Sequence, residues 1–147
     1  MDTVEVVLLL QLLIMNQTEL NRVRQLPLHH SWGVQSIDAH DGASTISIEV
    51  NENMLNPAGM LHGGLLYALC DVAAYAALLS LIDENQTGLT HHINVQVLRP
   101  VNLGDHIEIK GTIIKIGKRL SFLESKAYVQ NKLVANATIT KSMILVQ

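Results

Sequence analysis

Apolar and polar positions alternate along most of this chain, and the alternation breaks only at its start and near its middle. Gly33-Val34-Gln35-Ser36-Ile37-Asp38 and Ser44-Thr45-Ile46-Ser47-Ile48-Glu49-Val50 carry the two-residue period of strands with one packed face. His40-Asp41-Gly42 between them is a hairpin turn signal. Four more strands are predicted after residue 90. Ile93, Val95 and Val97 alternate with Asn94, Gln96 and Leu98 until Pro100 ends the run. Ile107, Ile109 and Ile113 alternate with Glu108, Lys110 and Thr112. Turns at Gly117-Lys118 and Asn131-Lys132 then lead into residues 120–129 and 133–146. Residues 61–81 are apolar without alternation and predict one long buried helix. The start of the chain, to about Arg24, has helical composition, and Pro27 is expected to close it.

The order is helix, two strands, long helix, four strands. Strands this close in sequence pair antiparallel, and the central helix must lie against the concave face of their sheet, an α+β arrangement. Leu65, Leu66, Leu69, Val72, Ala73, Ala76 and Leu79 occupy most of that helix's circumference. The sheet alone cannot cover it, so a second subunit is expected to cover the remainder. No repeat or linker divides the chain. Residues 1–147 read as one domain, with a helical segment at 1–26 and the sheet-and-helix core at 32–146.

Composition narrows the function. Of the 147 residues 48% are hydrophobic and 16% charged, which argues against disorder, and a net charge of -3 argues against a nucleic-acid footprint. One cysteine, Cys70, cannot form an internal disulfide and fits a reducing, cytoplasmic setting. The apolar stretch at 4–15 is too short to span a bilayer, and it lacks a basic flank and a small-residue cleavage site. The stretch at 63–82 is long enough. Its centre holds Asp71, however, at an insertion cost of at least about 2.5 kcal/mol, and no membrane insertion is expected.

Asp71 is also the most informative residue. Its neighbours Leu69, Cys70, Val72, Ala73 and Ala74 offer no charge partner, and a buried unpaired carboxylate costs several kcal/mol. It therefore predicts a partner or a task. The preceding Asn56-Pro57-Ala58-Gly59-Met60-Leu61-His62-Gly63-Gly64 is a loop feeding a helix start. Free N–H groups and the helix dipole there favour developing negative charge, and glycines at 63 and 64 let a carbonyl approach the backbone. That combination suits an oxyanion site for acyl transfer. Cys70 has no histidine one helical turn away and reads as inert core. His91 and His92, adjacent in a strand, make a poor metal pair, and His29-His30 read as solvated loop residues; no metal is predicted.

Asn56, Gly59, His62-Gly63-Gly64, Leu69, Asp71 and Ala77 reproduce the pattern Asn-x-x-Gly-x-x-His-Gly-Gly-x-x-x-x-Leu-x-Asp. In this the chain resembles the PaaI-type thioesterases of the hotdog superfamily, relatives of phenylacetyl-CoA and 4-hydroxybenzoyl-CoA thioesterases. Thr90-His91-His92-Ile93-Asn94, Arg99-Pro100 and Leu103-Gly104-Asp105 are also similar to that family, and the resemblance spans roughly residues 33–144. It implies a hotdog fold, an antiparallel sheet wrapped around the central helix, with the N-terminal helix as an addition. It implies a metal-independent acyl-CoA hydrolase whose only coenzyme is the coenzyme A of its substrate. The Gly63 N–H would polarise the thioester carbonyl, with His62 shaping the turn and Gly64 beside it at the substrate. Asn56 would bond the carbonyl or the water, and Thr90 would orient the water. Asp71 would be either general base or nucleophile. Arg99, Lys118 and Arg119 are candidates for the coenzyme's phosphates. An acyl-thioester hydratase or dehydratase, and a non-catalytic acyl-CoA-binding regulator, are the alternatives on the same fold.

Spacing adds an independent point. His62 and Asp71 are nine residues apart, about 13 Å along one helix. They cannot act on one carbonyl from a single copy, whereas two antiparallel copies in a dimer could bring Gly63 of one beside Asp71 of the other. The family resemblance implies the same homodimer, and a dimer of dimers above it.

Overall fold

The computed structural model describes residues 1–14 and 16–146. Three short helices open the chain, α1 (Thr3–Ile14), α2 (Gln17–Gln25) and α3 (Pro27–Ser31), where one N-terminal helix was expected. Pro27 begins α3 rather than closing the segment, because its missing N–H and fixed φ suit the first helical turn. The hairpin follows as β1 (Val34–His40) and β2 (Ala43–Glu49), then a 3-10 turn at Glu52–Met54 and the long helix α4 (Gly63–Leu79). The last four strands are β3 (Gln86–Val97), β4 (His106–Ile116), β5 (Leu120–Val129) and β6 (Lys132–Leu145). Strand β3 begins seven residues before the alternation at Ile93 signals it. The apolar stretch at 4–15 forms α1 with exposed Val4, Val7, Leu8 and Leu9, and its end at Met15 lies outside the described residues. No helix among the described residues is long and apolar enough to cross a membrane.

All six strands form one antiparallel sheet in the order β1-β2-β4-β5-β6-β3. Asp41 and Gly42 turn β1 into β2 with φ of 51° and 78°, the mirror-image turn that matches strand twist. The concave face holds α4, which makes this the hotdog architecture the resemblance implies. Helix α2 packs on α4 from the other side through buried Leu20 and Val23. It is pinned at both ends. Buried Asn16 donates to the Ile82 and Asp83 carbonyls at 2.6 and 2.7 Å, and Arg24 Nε donates to Ile37 O at 2.7 Å.

Register explains how closely α4 approaches the sheet. Ser44, Gly111, Ser125 and Ala137 stand opposite one another across β2, β4, β5 and β6, a row with no large side chain. Ser44 Oγ donates to the Ala73 carbonyl at 2.6 Å, and Ser125 Oγ donates to the Cys70 carbonyl at 2.8 Å. Between them, the space where a Cβ on Gly111 would lie is already taken by the Ala73 carbonyl. On either side of the row Ile46, Ile109, Leu123 and Ile139 are buried against the helix. Gly111→Ala must therefore push the helix backbone off the sheet. We expect it to cost about 1–3 kcal/mol, read as a lower urea midpoint at unchanged slope. A wild-type midpoint would show that the helix is not held at this contact.

Candidate active site

The helix start is built from the loop before it. Asn56 Oδ1 accepts from the Ala58 and Met60 amides at 3.0 and 3.1 Å, so the side-chain oxygen is committed to the loop and only the Nδ2 amide faces outward chemistry. Leu61 N donates to Val101 O and His62 N to Met54 O, which ties the loop to the fold on both sides. His62 is the N-cap: its Nδ1 accepts from Gly64 N at 3.0 Å, and its carbonyl accepts from Leu65 and Leu66. Gly64 fits against that ring, where a Cβ would come within 3.2 Å of it. One amide of the first turn is left over. The Gly63 N–H has no acceptor among the described residues, and a Cβ there would meet nothing within 4 Å. Gly63 presents an uncommitted donor at the positive end of a helix.

Two helical turns on, Asp71 is not the unpartnered carboxylate that its sequence neighbours suggest. Lys141 Nζ, from β6, lies 2.8 Å from Asp71 Oδ1 and 2.8 Å from Thr90 Oγ1. Thr90 Oγ1 in turn reaches both carboxylate oxygens, at 2.9 and 2.8 Å. The ammonium also lies over the Tyr75 ring, 5.1 Å from its centroid. The Lys141 side chain is only 3% exposed, whereas Asp71 is 29% exposed. Burial pushes the Lys141 ammonium below its ordinary lysine value, against the opposing pull of Asp71. Thr90 stands directly opposite Lys141 in the β3–β6 register, and a bulge at His91 shifts the register just beyond it. Inward-facing Thr90 and half-buried Ile93 and Val95 thereby share one face of the sheet across an odd spacing.

The sequence signal for Lys141 was present and went unread. Ala135, Ala137, Ile139 and Lys141 keep a strict two-residue period and are all buried, so a lysine occupies an inward position of β6. The residues flanking Asp71 carry no charge and give no pointer to a strand 70 residues away. Cys70 is fully buried, and burial first, then Asp71, pushes its thiol up to about 12, which removes it as a nucleophile near neutrality. His29 is a correction. It is buried in α3, with Nδ1 2.8 Å from Val23 O and its ring 5.7 Å from that of Trp32, while His30 is exposed. His91 and His92 are both exposed.

A cleft of about 340 Å³ opens from Asp71 between α4 and the N-terminal helices. Val23, Leu26, Trp32, Ala68, Val72 and Tyr75 give it an apolar wall, and Glu19, Arg22 and His29 add polar groups. The basic candidates do not converge. The Arg119 carbonyl accepts from Met143 N, whereas Arg99 N donates to the Val134 carbonyl. Nine residues of one strand, about 30 Å, separate these points, so Arg99 cannot meet the same phosphates as Lys118 and Arg119 in one chain. The turn carrying Lys118 and Arg119 is at the Lys141 end of the sheet, since Ser121 pairs with Lys141.

A sheet wrapped on one helix defines the hotdog fold, and an uncommitted amide at the helix start with a polar cluster about two turns along is an arrangement that can serve acyl transfer. Comparison with known proteins gives the family. A family model described as the Thioesterase superfamily matches residues 58–141. Acyl-coenzyme A thioesterase 13 of Homo sapiens is 32% identical over 111 residues, covering 73% of this chain and 77% of that protein. A hypothetical thioesterase from Streptococcus pneumoniae, solved with coenzyme A, superposes with a TM-score of 0.68 at 25% identity, over 78% of this chain and 98% of its own. The PaaI protein of Escherichia coli shares the fold, with a TM-score of 0.72 at 22% identity over 86% of this chain and 92% of its own. The chain belongs to the thioesterase superfamily, has the hotdog fold, and is an enzyme that hydrolyses thioesters.

Proposed function

We propose that this enzyme hydrolyses acyl-CoA thioesters with water, using no metal and no cofactor beyond the coenzyme A of the substrate. One observation carries the reading: Asp71 lines the cleft, and its two oxygens are unequally bonded. Oδ1 takes both Lys141 and Thr90, and Oδ2 takes only Thr90. Thr90 has a single proton, donated to Asp71, and accepts from Lys141. It can therefore accept a bond from the attacking water but has no proton to give it. Asp71 Oδ2 then removes the water's proton, or attacks the acyl carbon itself and forms an anhydride. The Gly63 N–H and the Asn56 Nδ2 amide stabilise the oxyanion, with His62 and Gly64 fixing the turn. The acyl group occupies the cleft beside Trp32, and the coenzyme phosphates meet Lys118 and Arg119.

Hydrolysis is tested by thiol release from a panel of short, medium, long and aromatic acyl-CoA substrates. Asp71→Asn should lose about 10²–10⁴ in kcat, because the amide keeps the shape and removes the base. It should also lose up to about 3–5 kcal/mol of stability, since Lys141 is left buried without its countercharge. Turnover is therefore compared where circular dichroism shows both proteins folded, and near-wild-type turnover there would sink the assignment. Lys118→Ala with Arg119→Ala should raise KM with little change in kcat, and less so at high salt. An equal rise for a pantetheine thioester, which lacks the nucleotide phosphates, would place the contact elsewhere.

The site is shared by two subunits. Gly63 and Asp71 are eight residues apart, about 12 Å along α4, too far to act on one carbonyl from one helix. The edge strand β3 carries Thr90 and exposes Leu89 and Val97, which supports pairing with a second copy. Asn56→Ala and Asp71→Ala should each be nearly inactive alone. After mixed unfolding and reassembly, half the dimers pair one of each, and each such dimer holds one intact site. Recovery of about a quarter of wild-type activity is expected for random two-fold assembly. Confirmed subunit exchange with no recovery would place the whole site in one chain.

A further inference from the structure

Lys141 is a buried charge that takes no step of its own in the hydrolysis. Its three N–H donors are accounted for: one to Asp71 Oδ1 at 2.8 Å, one to Thr90 Oγ1 at 2.8 Å, and a third side turned to the Tyr75 ring. Taking an ammonium out of water is expensive, and one ion pair does not reliably offset it. Burial is the larger influence on this lysine and pushes its ammonium below the ordinary value. An apolar side chain of the same length would fill the position beside Gly88 and the Tyr75 ring at less cost. What such a side chain could not do is act on the carboxylate.

We infer that Lys141 is the positioning residue of this site: it holds Asp71 as an anion and turns the carboxylate so that Oδ2 is the reacting oxygen. The inference rests on the proposed role of Asp71. Lys141, from β6, bonds only Oδ1, whereas Thr90, from β3, reaches both oxygens, so the carboxylate is gripped from the sheet side and Oδ2 has one partner fewer. Thr90 alone would not suffice. A hydroxyl can donate to a carboxylate or accept from a carboxylic acid, so it fits either protonation state. The ammonium can only donate, and it selects the anion. Lys141 also takes a lone pair of Thr90 and so aims that hydroxyl's single proton at Asp71. The other titratable or charged groups near this cluster are Glu19 and Arg22 on α2, His29 on α3, and Cys70 and Tyr75 on α4. None of them bonds Asp71.

The test compares the acid limb of kcat/KM against pH in wild type, Lys141→Met, Lys141→Gln and Lys141→Arg, using hexanoyl-CoA and phenylacetyl-CoA. The four proteins differ only at the partner of Asp71, so a difference between their limbs is read at that contact. With the cation gone, the limb should move up by at least about one pH unit in Lys141→Met, and the rate at pH 5.5 should fall about tenfold further than the plateau does. Lys141→Arg keeps the charge and should keep the limb in place even where its bulk lowers kcat. Should the Met variant fail to fold, Lys141→Gln carries the same expectation, since it keeps a hydrogen-bonding side chain without the charge. A limb coincident with wild type in either folded neutral variant would overturn the inference. Failure of the inference is distinguishable from failure of the Asp71 assignment: if Asp71→Asn is inactive while Lys141→Met keeps the wild-type limb, only the role of Lys141 is wrong.

Discussion

Helix α4 can approach the sheet because four strands present nothing larger than a serine beneath it. The row Ser44, Gly111, Ser125 and Ala137 is small across its whole width, and its two hydroxyls bond the Ala73 and Cys70 carbonyls from below. Each such bond is worth about 1 kcal/mol, but their larger effect is geometric. Dispersion packing alone would let a helix slide or roll by a fraction of a turn. Two directional bonds three residues apart, with a backbone carbonyl seated where a Cβ would be, fix both the height and the rotation of α4. Asp71 lies between those two anchored carbonyls. Its position is thus set by the most constrained stretch of the helix, not by its own polar contacts.

From that height the carboxylate reaches Lys141 on β6 and Thr90 on β3, and both of those depend on register. Lys141 is inward because β6 keeps a two-residue period through Ala135, Ala137 and Ile139. Thr90 is inward because the bulge at His91 resets the phase of β3. Without it, a strand that turns Ile93 and Val95 toward the core would turn Thr90 away. Three elements separated by as many as 70 residues therefore meet within hydrogen-bond distance. The site is precise because it is built on strands and a helix rather than on loops.

This explains which parts were legible in the sequence. The hairpin, the long helix and the order of the last four strands follow from local period and turn chemistry, and the structure places them within a few residues. The start of β3 was missed because residues 86–92 do not alternate: Gly88 is buried, Thr90 is polar and inward, and the bulge then breaks the phase. The helix start at His62-Gly63-Gly64 was legible because capping is local. The partner of Asp71 was not, because ion pairs between strands and helices carry no fixed spacing. Only the inward lysine of β6 hinted at it. Arg99 was grouped with Lys118 and Arg119 on charge alone, and the strand length between their anchor points separates them.

The two halves of the machinery face different constraints along α4. At its start, the Gly63 amide is available because His62 satisfies Gly64 with its ring and the following turn with its carbonyl, leaving one donor over. Near its middle, Asp71 has the opposite character, an acceptor with two partners on one oxygen and only Thr90 on the other. A helix that carried both to the same carbonyl would have to bend back on itself, and α4 runs unbroken from Gly63 to Leu79. The donor end and the acceptor middle can serve one thioester only if a second helix supplies the missing half. The N-terminal helices do not supply it. Pinned by Asn16 and Arg24, they wall the cleft beside Asp71 with Val23 and Trp32 and bring no backbone amide to the carboxylate. The open side is the β3 edge, where Thr90 is exposed. A second copy approaching there would close the cleft and bring the missing half of the proposed site.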